Sequence, residues 1–331
     1  MISKFRIGVL VIILNFFASV ATTWGQVENP SLLQMAVPSL NIAPDARGGG
    51  MGDMGAATLP DINSQYWNAA KYAFMGSKAG VSLSYTPWLR KLVNDVALVN
   101  MTGYYKLGNS DLQAISASLR YFSLGEVNIW ENIGDVPYGL NPYEMAFDVA
   151  YSRKLSESYS MAVTLRYIRS DMGTDQNEES NAGNAFAADI SGYLEKYVLM
   201  GNAEALWSFG FNLSNIGSKI SYDGGNRNQY LPAKLTLGTG LLYPIDDYNQ
   251  IGVYLDLNKY MVPYAPQKKD GETDADFQAR EDDYKSWSSI SGMLKSFTDS
   301  PNGLLKEIMV SVGAEYSYNE QFFVRGRSEE R

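Results

Sequence analysis

The stretch Met145-Ala146-Phe147-Asp148-Val149-Ala150-Tyr151-Ser152 decides the fold. Met145, Phe147, Val149 and Tyr151 fall in one phase. Ala146, Asp148, Ala150 and Ser152 fall in the other. That alternation is the side-chain period of a β-strand. The next segment repeats it, with Met161, Val163, Leu165 and Tyr167 against Ala162, Thr164, Arg166 and Ile168. Outward along the chain, Ile115, Ala117, Leu119 and Tyr121 oppose Ser116, Ser118 and Arg120. Trp207, Phe209, Phe211 and Leu213 oppose Ser208, Gly210 and Asn212. Ile251, Val253, Leu255 and Leu257 oppose Gly252, Tyr254, Asp256 and Asn258, and Ile308, Val310, Val312 and Ala314 oppose Ser311, Gly313 and Glu315.

Two all-β architectures alternate in this way: a sandwich with one dry face, and an antiparallel transmembrane barrel with lipid outside and a polar lumen within. The barrel is favoured on three grounds. The polar phase is rich in Ser, Gly and Ala rather than Lys and Glu, as suits a crowded lumen. Tyr104, Tyr105, Tyr121, Phe122, Tyr167, Tyr193, Tyr197 and Tyr243 lie near segment ends, where interfacial girdles sit. Connections also alternate in length. Strands are expected near 80–86, 93–106, 111–122, 143–154, 159–169, 184–195, 204–213, 232–242, 249–257, 307–318 and from Phe322, about 11 in all. Connections at 107–110, 155–158, 196–203, 243–248 and 319–321 are short, and those at 123–142, 170–183, 214–231 and 258–306 are long. Outer-membrane barrels pair short periplasmic turns with long outer loops.

The 331 residues are 45% hydrophobic and 19% charged, with a mean hydropathy of −0.21. After the N-terminus no run approaches the ~20 apolar residues of a membrane helix. Residues 1–25 are expected to be a signal peptide: Lys4 and Arg6, an apolar stretch from Ile7 to Val20, then Thr23-Trp24-Gly25 before a cut at Gln26. A membrane anchor is the alternative. Removing Lys4 and Arg6 with the leader takes the net charge from −9 to −11. That acidity argues against nucleic acid as a partner. There is no cysteine and no histidine. Ser-His-Asp and Cys-His catalysis and His-based metal sites are thereby excluded, and no cofactor is expected.

Residues 26–79 form a distinct segment before the barrel of 80–331. Its heart, Pro38 to Phe74, reads PSLNIAPDARGGGMGDMGAATLPDINSQYWNAAKYAF. Glycines 48, 49, 50, 52 and 55 are not a phosphate loop, because no strand precedes them and no Gly-Lys-Ser/Thr follows. Close backbone packing of a plug in a narrow lumen explains them better. In the loop 258–306, the charged run Lys268–Asp283 (KKDGETDADFQAREDD) precedes Trp287, Ile290, Met293, Leu294 and Phe297 at roughly helical spacing. A short amphipathic helix is expected there, as a docking site or a lid.

The N-terminal segment resembles the hatch of FadL-like barrels. More narrowly, it resembles the PorV family, outer-membrane barrels of the type IX secretion system of Bacteroidetes. The residues that carry the likeness are Ala43-Pro44-Asp45-Ala46-Arg47, the glycine run with Met51-Gly52-Asp53, Ala56-Ala57-Thr58, and Pro60-Asp61 through Tyr66-Trp67-Asn68. Lys71-Tyr72-Ala73-Phe74 and Tyr85-Thr86-Pro87-Trp88-Leu89 complete it. Asp45, Arg47, Gly48, Gly49, Gly50, Gly52, Asp53, Asp61 and Asn68 form the expected hatch motif. Ala69 stands where the wider family usually has proline. The resemblance implies 14 strands, and the chain ends on RGRSEER, Arg325–Arg331, without the apolar strand and terminal aromatic of such barrels. A truncation or frameshift near Gly326 is therefore expected.

The resemblance also implies a role. It implies an exported, non-enzymatic shuttle in the outer-membrane lipid. Cargo with a type IX C-terminal sorting domain would pass from an SprA-type translocon barrel to an attachment complex containing a PorU-type sortase. Loops 123–142 and 258–306 are expected to touch partners, with Trp130, Tyr138, Tyr143, Trp287 and Phe297 as anchors, since aromatics dominate interface energetics. Each could equally pack its loop or anchor at lipid headgroups. Two other readings stay open. One is a FadL-type transporter of hydrophobic small molecules, which needs an apolar pocket between hatch and wall. The other is a lipopolysaccharide-modifying enzyme, for which Asp175, Glu178 and Glu179 form the best local cluster, without the spacing of an EF-hand loop.

Overall fold

The computed structural model describes residues 33–88, 90–91, 95–108, 111–129, 138–173, 182–222, 228–300 and 303–330. The alternating segments become strands because β-branched and aromatic residues pack well on a pleated surface. In chain order they are β1 (Ala79–Pro87), β2 (Val96–Leu107), β3 (Gln113–Leu124), β4 (Val127–Ile129), β5 (Tyr138–Leu140), β6 (Tyr143–Lys154), β7 (Tyr159–Asp171) and β8 (Gly183–Met200). Then follow β9 (Ala203–Gly217), β10 (Ile220–Ser221), β11 (Asn228–Gln229), β12 (Lys234–Pro244), β13 (Asn249–Tyr260), β14 (Met309–Tyr318) and β15 (Phe322–Glu330). Eleven of them make one antiparallel meander, ordered β1-β2-β3-β6-β7-β8-β9-β12-β13-β14-β15. The pairs β4–β5 and β10–β11 are small ribbons within long loops. β1 and β15 are not paired with each other.

The sheet wraps around residues 35–78. Ser84 of β1 donates to Pro44 O at 2.7 Å, and Arg327 of β15 donates to Gly49 O at 2.9 Å. Those two carbonyls lie five residues apart, a span of at most ~17 Å of chain. Both ends of the meander therefore reach the same short piece of the enclosed segment.

Burial identifies the two faces. Phe147, Val149 and Tyr151 are exposed, as are Ile115, Leu119, Val163 and Leu165. Ala146, Asp148, Ala150 and Ser152 are buried, with Ser116, Ser118, Arg120, Thr164 and Arg166. A water-soluble sandwich would bury the first set and expose the second, because apolar burial is its main driving force. Here the order is reversed, which is the arrangement of a wall standing in lipid. Among the described residues no helix is long and apolar enough to cross a membrane.

Strand limits at Tyr143–Lys154 coincide with the expected 143–154. β8 runs on to Met200, so the turn expected at 196–203 shrinks to 201–202. Glu195 and Lys196 interrupt the apolar phase there and hide the continuation. A β-bulge between Ala188 and Ile190 sets Asn215 at φ 58 and lets two residues of β9 face one of β8.

The aromatic girdle is real but smaller than expected. Tyr121 stacks on Tyr143 with ring centroids 5.5 Å apart, and Tyr167 lies beside Phe186 at 5.3 Å, all at the end with long connections. Tyr105 and Tyr151 are exposed at the other end. Along β6, Tyr143 and Tyr151 are ~27 Å apart at strand rise, comparable with the apolar band of such barrels. Tyr104, Phe122 and Tyr193 face inward and are buried. Adjacent residues must point to opposite faces, so Tyr104-Tyr105 and Tyr121-Phe122 cannot both contribute to the girdle.

Candidate functional site

The enclosed segment is folded by the wall rather than by its own propensity. Its helices are short: Ala46–Gly50, Ser64–Trp67 and 3-10 turns at Pro38–Asn41 and Ala69–Phe74. Helices of this length do not persist alone. Side chains from nearly every strand hold them. Arg120 of β3 donates to Ser39 O at 2.6 Å and to Ile42 O at 3.0 Å. Glu144 of β6 accepts from Ser39 N at 2.9 Å. Ser160 of β7 donates to Ala70 O at 2.8 Å, and Ser208 of β9 to Ala57 O at 2.6 Å. Asp256 of β13 accepts from Gly55 N and Ala56 N at 2.9 and 3.1 Å. Polar groups inside a barrel must be paired, and here the plug supplies the partners.

Asp45 and Trp67 lock the two halves of the motif. Asp45 caps the helix Ala46–Gly50, its Oδ2 accepting from Gly48 N at 2.8 Å. Its Oδ1 accepts from Trp67 Nε1 at 2.8 Å. The indole is pressed against Gly48 and Gly55, where an added Cβ would fall 2.2 and 2.3 Å from ring carbons. Replacing Asp45 with alanine removes the cap and leaves a buried indole N–H unpaired. The expected cost is about 2–4 kcal/mol, read as a lower urea midpoint in detergent. A change inside experimental error would show that the indole finds another acceptor.

Asn68 joins plug to wall. Its Nδ2 donates to Ala56 O at 2.8 Å and to Gly192 O of β8 at 2.9 Å, while Oδ1 accepts from Ala70 N at 3.1 Å. Arg47 bridges Asp61 Oδ2 at 2.9 Å and Glu315 Oε1 of β14 at 3.2 Å, and Arg325 of β15 approaches Glu315 Oε2 at 2.5 Å. Asp61 and Glu315 hold the Arg47 guanidinium above its ordinary pKa, against the opposing effect of burial.

Lys71 is fully buried in the plug and donates to Gly55 O at 2.9 Å and Thr58 Oγ1 at 3.0 Å. Burial pushes its ammonium down to about 8, from 10.5. Between these values the unfolded chain binds a proton that the folded chain has released. Stability should therefore rise with pH across that window, by on the order of 3 kcal/mol, and be flat below it. Comparing urea midpoints of the protein and Lys71→Met from neutral pH to about pH 10 isolates this slope. Equal slopes in both proteins would assign it elsewhere.

Among the described residues, two spaces lie beside the plug. One is a polar void of about 30 Å³ lined by Arg120, Asp148, Arg166, Asn212, Lys234 and Asp256, among others; it is room for one or two waters. The other is a wide recess of about 600 Å³ at the short-turn end, lined by Arg47, Leu59, Tyr197, Leu242, Glu315 and Arg325, among others.

At the opposite end the connection is folded over its described residues, 261–300 and 303–308. It carries a charged helix, Asp274–Ser286, and a short one, Ser289–Lys295. Trp287 lies between them, half-buried against Tyr284 at 5.5 Å, with Lys295 Nζ 3.5 Å from its ring centroid. Phe297 is also half-buried, packed with Leu213, Ile216, Leu235 and Met293. Tyr230 accepts at its carbonyl from Ala36 N at 2.9 Å and sets its ring 5.7 Å from Tyr284. The start of the plug and the outer cap are thus joined at one residue.

Residues 26–268 match the family model described as Type IX secretion system protein PorV. The chain belongs to this family. No curated protein matches it. As a PorV-family protein it is an outer-membrane component of type IX secretion.

Against that background the expected site residues sort clearly. Of the hatch motif, Asp45 and Gly48 meet at the Trp67 indole, Arg47 pairs with Asp61, and Asn68, next to Trp67 in the chain, clamps Ala56 O. Gly52 and Asp53 take positive φ, 85 and 53, at the turn that ends the first helix. Gly49 and Gly50 do not fit the close-packing explanation: an added Cβ at either meets nothing within 4 Å. They lie on the open side of that helix. Of the loop aromatics, Tyr143 is on the outer wall near the rim, accepting from Arg169 Nε at 3.0 Å. Trp287 and Phe297 pack the cap instead of standing free. Trp130, the side chain of Tyr138, the acidic group Asp175, Glu178 and Glu179, and residues 1–25 lie outside the described residues. Glu144 and Asp189 were not among the expected site residues, and Lys71 counted only as part of the motif. For Glu144 and Asp189 the signal was a charged residue at an inward strand position.

Proposed function

We propose that this PorV-family barrel handles cargo without catalysis. It receives proteins bearing the type IX C-terminal sorting domain from an SprA-type translocon barrel. It passes them to the attachment complex containing a PorU-type sortase. The observation that carries this reading is the filled lumen. With the hatch bonded to the inward side of nearly every strand, traffic runs over the outer surface, not through the barrel. The loops 123–142 and 258–306 supply the contacts to partners. The charged helix Asp274–Ser286, with no buried residue, faces the medium and is open to a partner.

The transporter reading requires an apolar chamber between plug and wall. The enclosed void is small and lined by Arg, Asp, Asn and Lys, and the wider recess at the short-turn end carries Arg47, Glu204, Glu315 and Arg325 beside Leu59, Leu206 and Leu242, so neither is the purely apolar chamber that reading needs.

Binding of a sorting-domain fusion to the full chain in lipid nanodiscs tests the proposal. Saturable binding at micromolar concentration or tighter is expected, weakened by Trp287→Ala or by reversing Glu281, Asp282 and Asp283 to Lys. Absence of saturable binding, with the barrel shown to be folded, would sink the cargo-receptor reading.

A further inference from the structure

The connection 261–308 does not stand free above the barrel mouth. It folds back over the outside of the wall. Leu213 and Ile216 of β9 and Leu235 of β12 belong to the outward phase, and Met293 and Phe297 cover them beside Ala233 and Met261. Lys259, outward on β13, pairs with Glu307 at 2.7 Å; both side chains are nearly buried. Lys259 Nζ also lies 5.3 Å from the Phe297 ring centroid. The short helix is held close, since a Cβ at Gly292 would fall 2.7 Å from the Tyr230 ring.

Just below this cover the wall opens to lipid. Leu237 and Leu257, each one outward step from Leu235 and Lys259, are 40% and 36% exposed. That step is ~7 Å along a strand. The short helix therefore begins where the lipid-facing belt ends.

Its free side is apolar. Ile290 and Leu294 are 64% and 67% exposed, and residues four apart share a helix face. Leu305, on the neighbouring turn Leu304–Glu307, is 71% exposed. Lys295 over Trp287 adds a cation and an amphipathic ring, a pairing suited to the headgroup level. The charged helix Asp274–Ser286 in the same connection exposes no large apolar side chain.

We propose that Ser289–Lys295, with Leu305, is an interfacial anchor that seats Ile290, Leu294 and Leu305 in the outer leaflet of the membrane. The partner is lipid at the boundary between headgroups and hydrocarbon. Met293 and Phe297, beside these residues, cover Leu213 and Leu235 of the outer wall one step from the lipid-facing Leu237, which is why lipid rather than a protein is assigned to the patch. An amphipathic helix of this kind lies in the plane of the interface. Anchoring would fix the direction in which the charged helix is held out to the medium.

The chain has no cysteine, so single nitroxide labels are placed cleanly. Ile290→Cys, Leu294→Cys and Leu305→Cys are labelled in the full chain in nanodiscs. Leu237→Cys serves as the lipid reference and Gln278→Cys as the aqueous reference. Collision rates with oxygen and with a water-soluble nickel chelate are compared by electron paramagnetic resonance. The expected ratio at 290, 294 and 305 lies near that at 237 and several-fold above that at 278. Ratios matching 278 overturn the proposal. So does shielding that appears only when a protein partner is added, because the patch would then be a protein interface. The outcome is independent of cargo binding.

Discussion

Replacing Arg166 with methionine is expected to cost more stability than any other single change inside the wall. The guanidinium lies between two buried carboxylates. Its Nε meets Asp148 Oδ1 at 2.6 Å, and Nη2 meets Asp189 Oδ2 at 2.9 Å. Nη2 also reaches Asp148 Oδ2 at 3.1 Å and Nη1 reaches Asp189 Oδ1 at 3.3 Å and Asn215 Oδ1. Only Ser118 Oγ, at 3.1 Å from Asp148, and Asn215 N, at 2.7 Å from Asp189, would remain. Leaving buried charge unpaired typically costs about 3–5 kcal/mol, and here two carboxylates would face each other. Urea unfolding followed by the gel shift of folded barrel should show the midpoint drop. Adding Asp148→Asn and Asp189→Asn to the variant should recover most of the loss, because the defect is charge. A loss under about 1 kcal/mol would mean that the carboxylates are not held as a desolvated pair.

The second large effect concerns the seal. At Gly210 of β9 an added Cβ would lie 1.9 Å from Ala56 O, 2.6 Å from Ala56 C and 3.0 Å from Asn68 Nδ2. Two of those atoms are backbone and cannot rotate aside. Gly210→Leu should therefore push the plug off β9 and break the Asn68 clamp to Gly192 O. Overpacking of this kind costs about 1–3 kcal/mol or more. In planar bilayers the unmodified protein should be silent and the variant should conduct. Gly50→Ala, with nothing within 4 Å of the new carbon, is the matched control and should stay silent. A silent, stable Gly210→Leu would mean that the plug is not seated on this wall.

These effects follow from features that were unevenly legible in the sequence. The wall was readable because period-2 alternation encodes it directly: Phe147 and Val149 against Asp148 and Ala150 needs no tertiary information. The motif residues Asp45, Arg47, Asp61 and Asn68 were recognisable as a group. Their bonds were not, because each partner lies on a distant strand, such as Glu315 or Gly192. The reason for Gly48 and Gly55 became visible only with the Trp67 ring between them.

The loop helices were half legible. Apolar spacing marked the short one. The charged one has almost no apolar face, yet Thr273 carries a local signal. Its Oγ1 accepts from Asp276 N at 3.2 Å and donates to Asp276 Oδ2 at 2.7 Å. The first bond is the N-cap half of a capping box, Ser/Thr followed three residues later by an acid, with the acid held here by the threonine hydroxyl. The fold-back of the cap onto Leu213 and Leu235 could not be read at all, since outward apolar residues look the same whether lipid or protein covers them.

The most direct test of the account is the fate of a sorting-domain protein in cells lacking this gene. The account predicts that it accumulates in the periplasm with its C-terminal domain uncleaved, and that restoring the gene returns it to the surface. Arrival at the surface in the deletion strain, processed and in normal amount, would contradict the proposed role in cargo transfer.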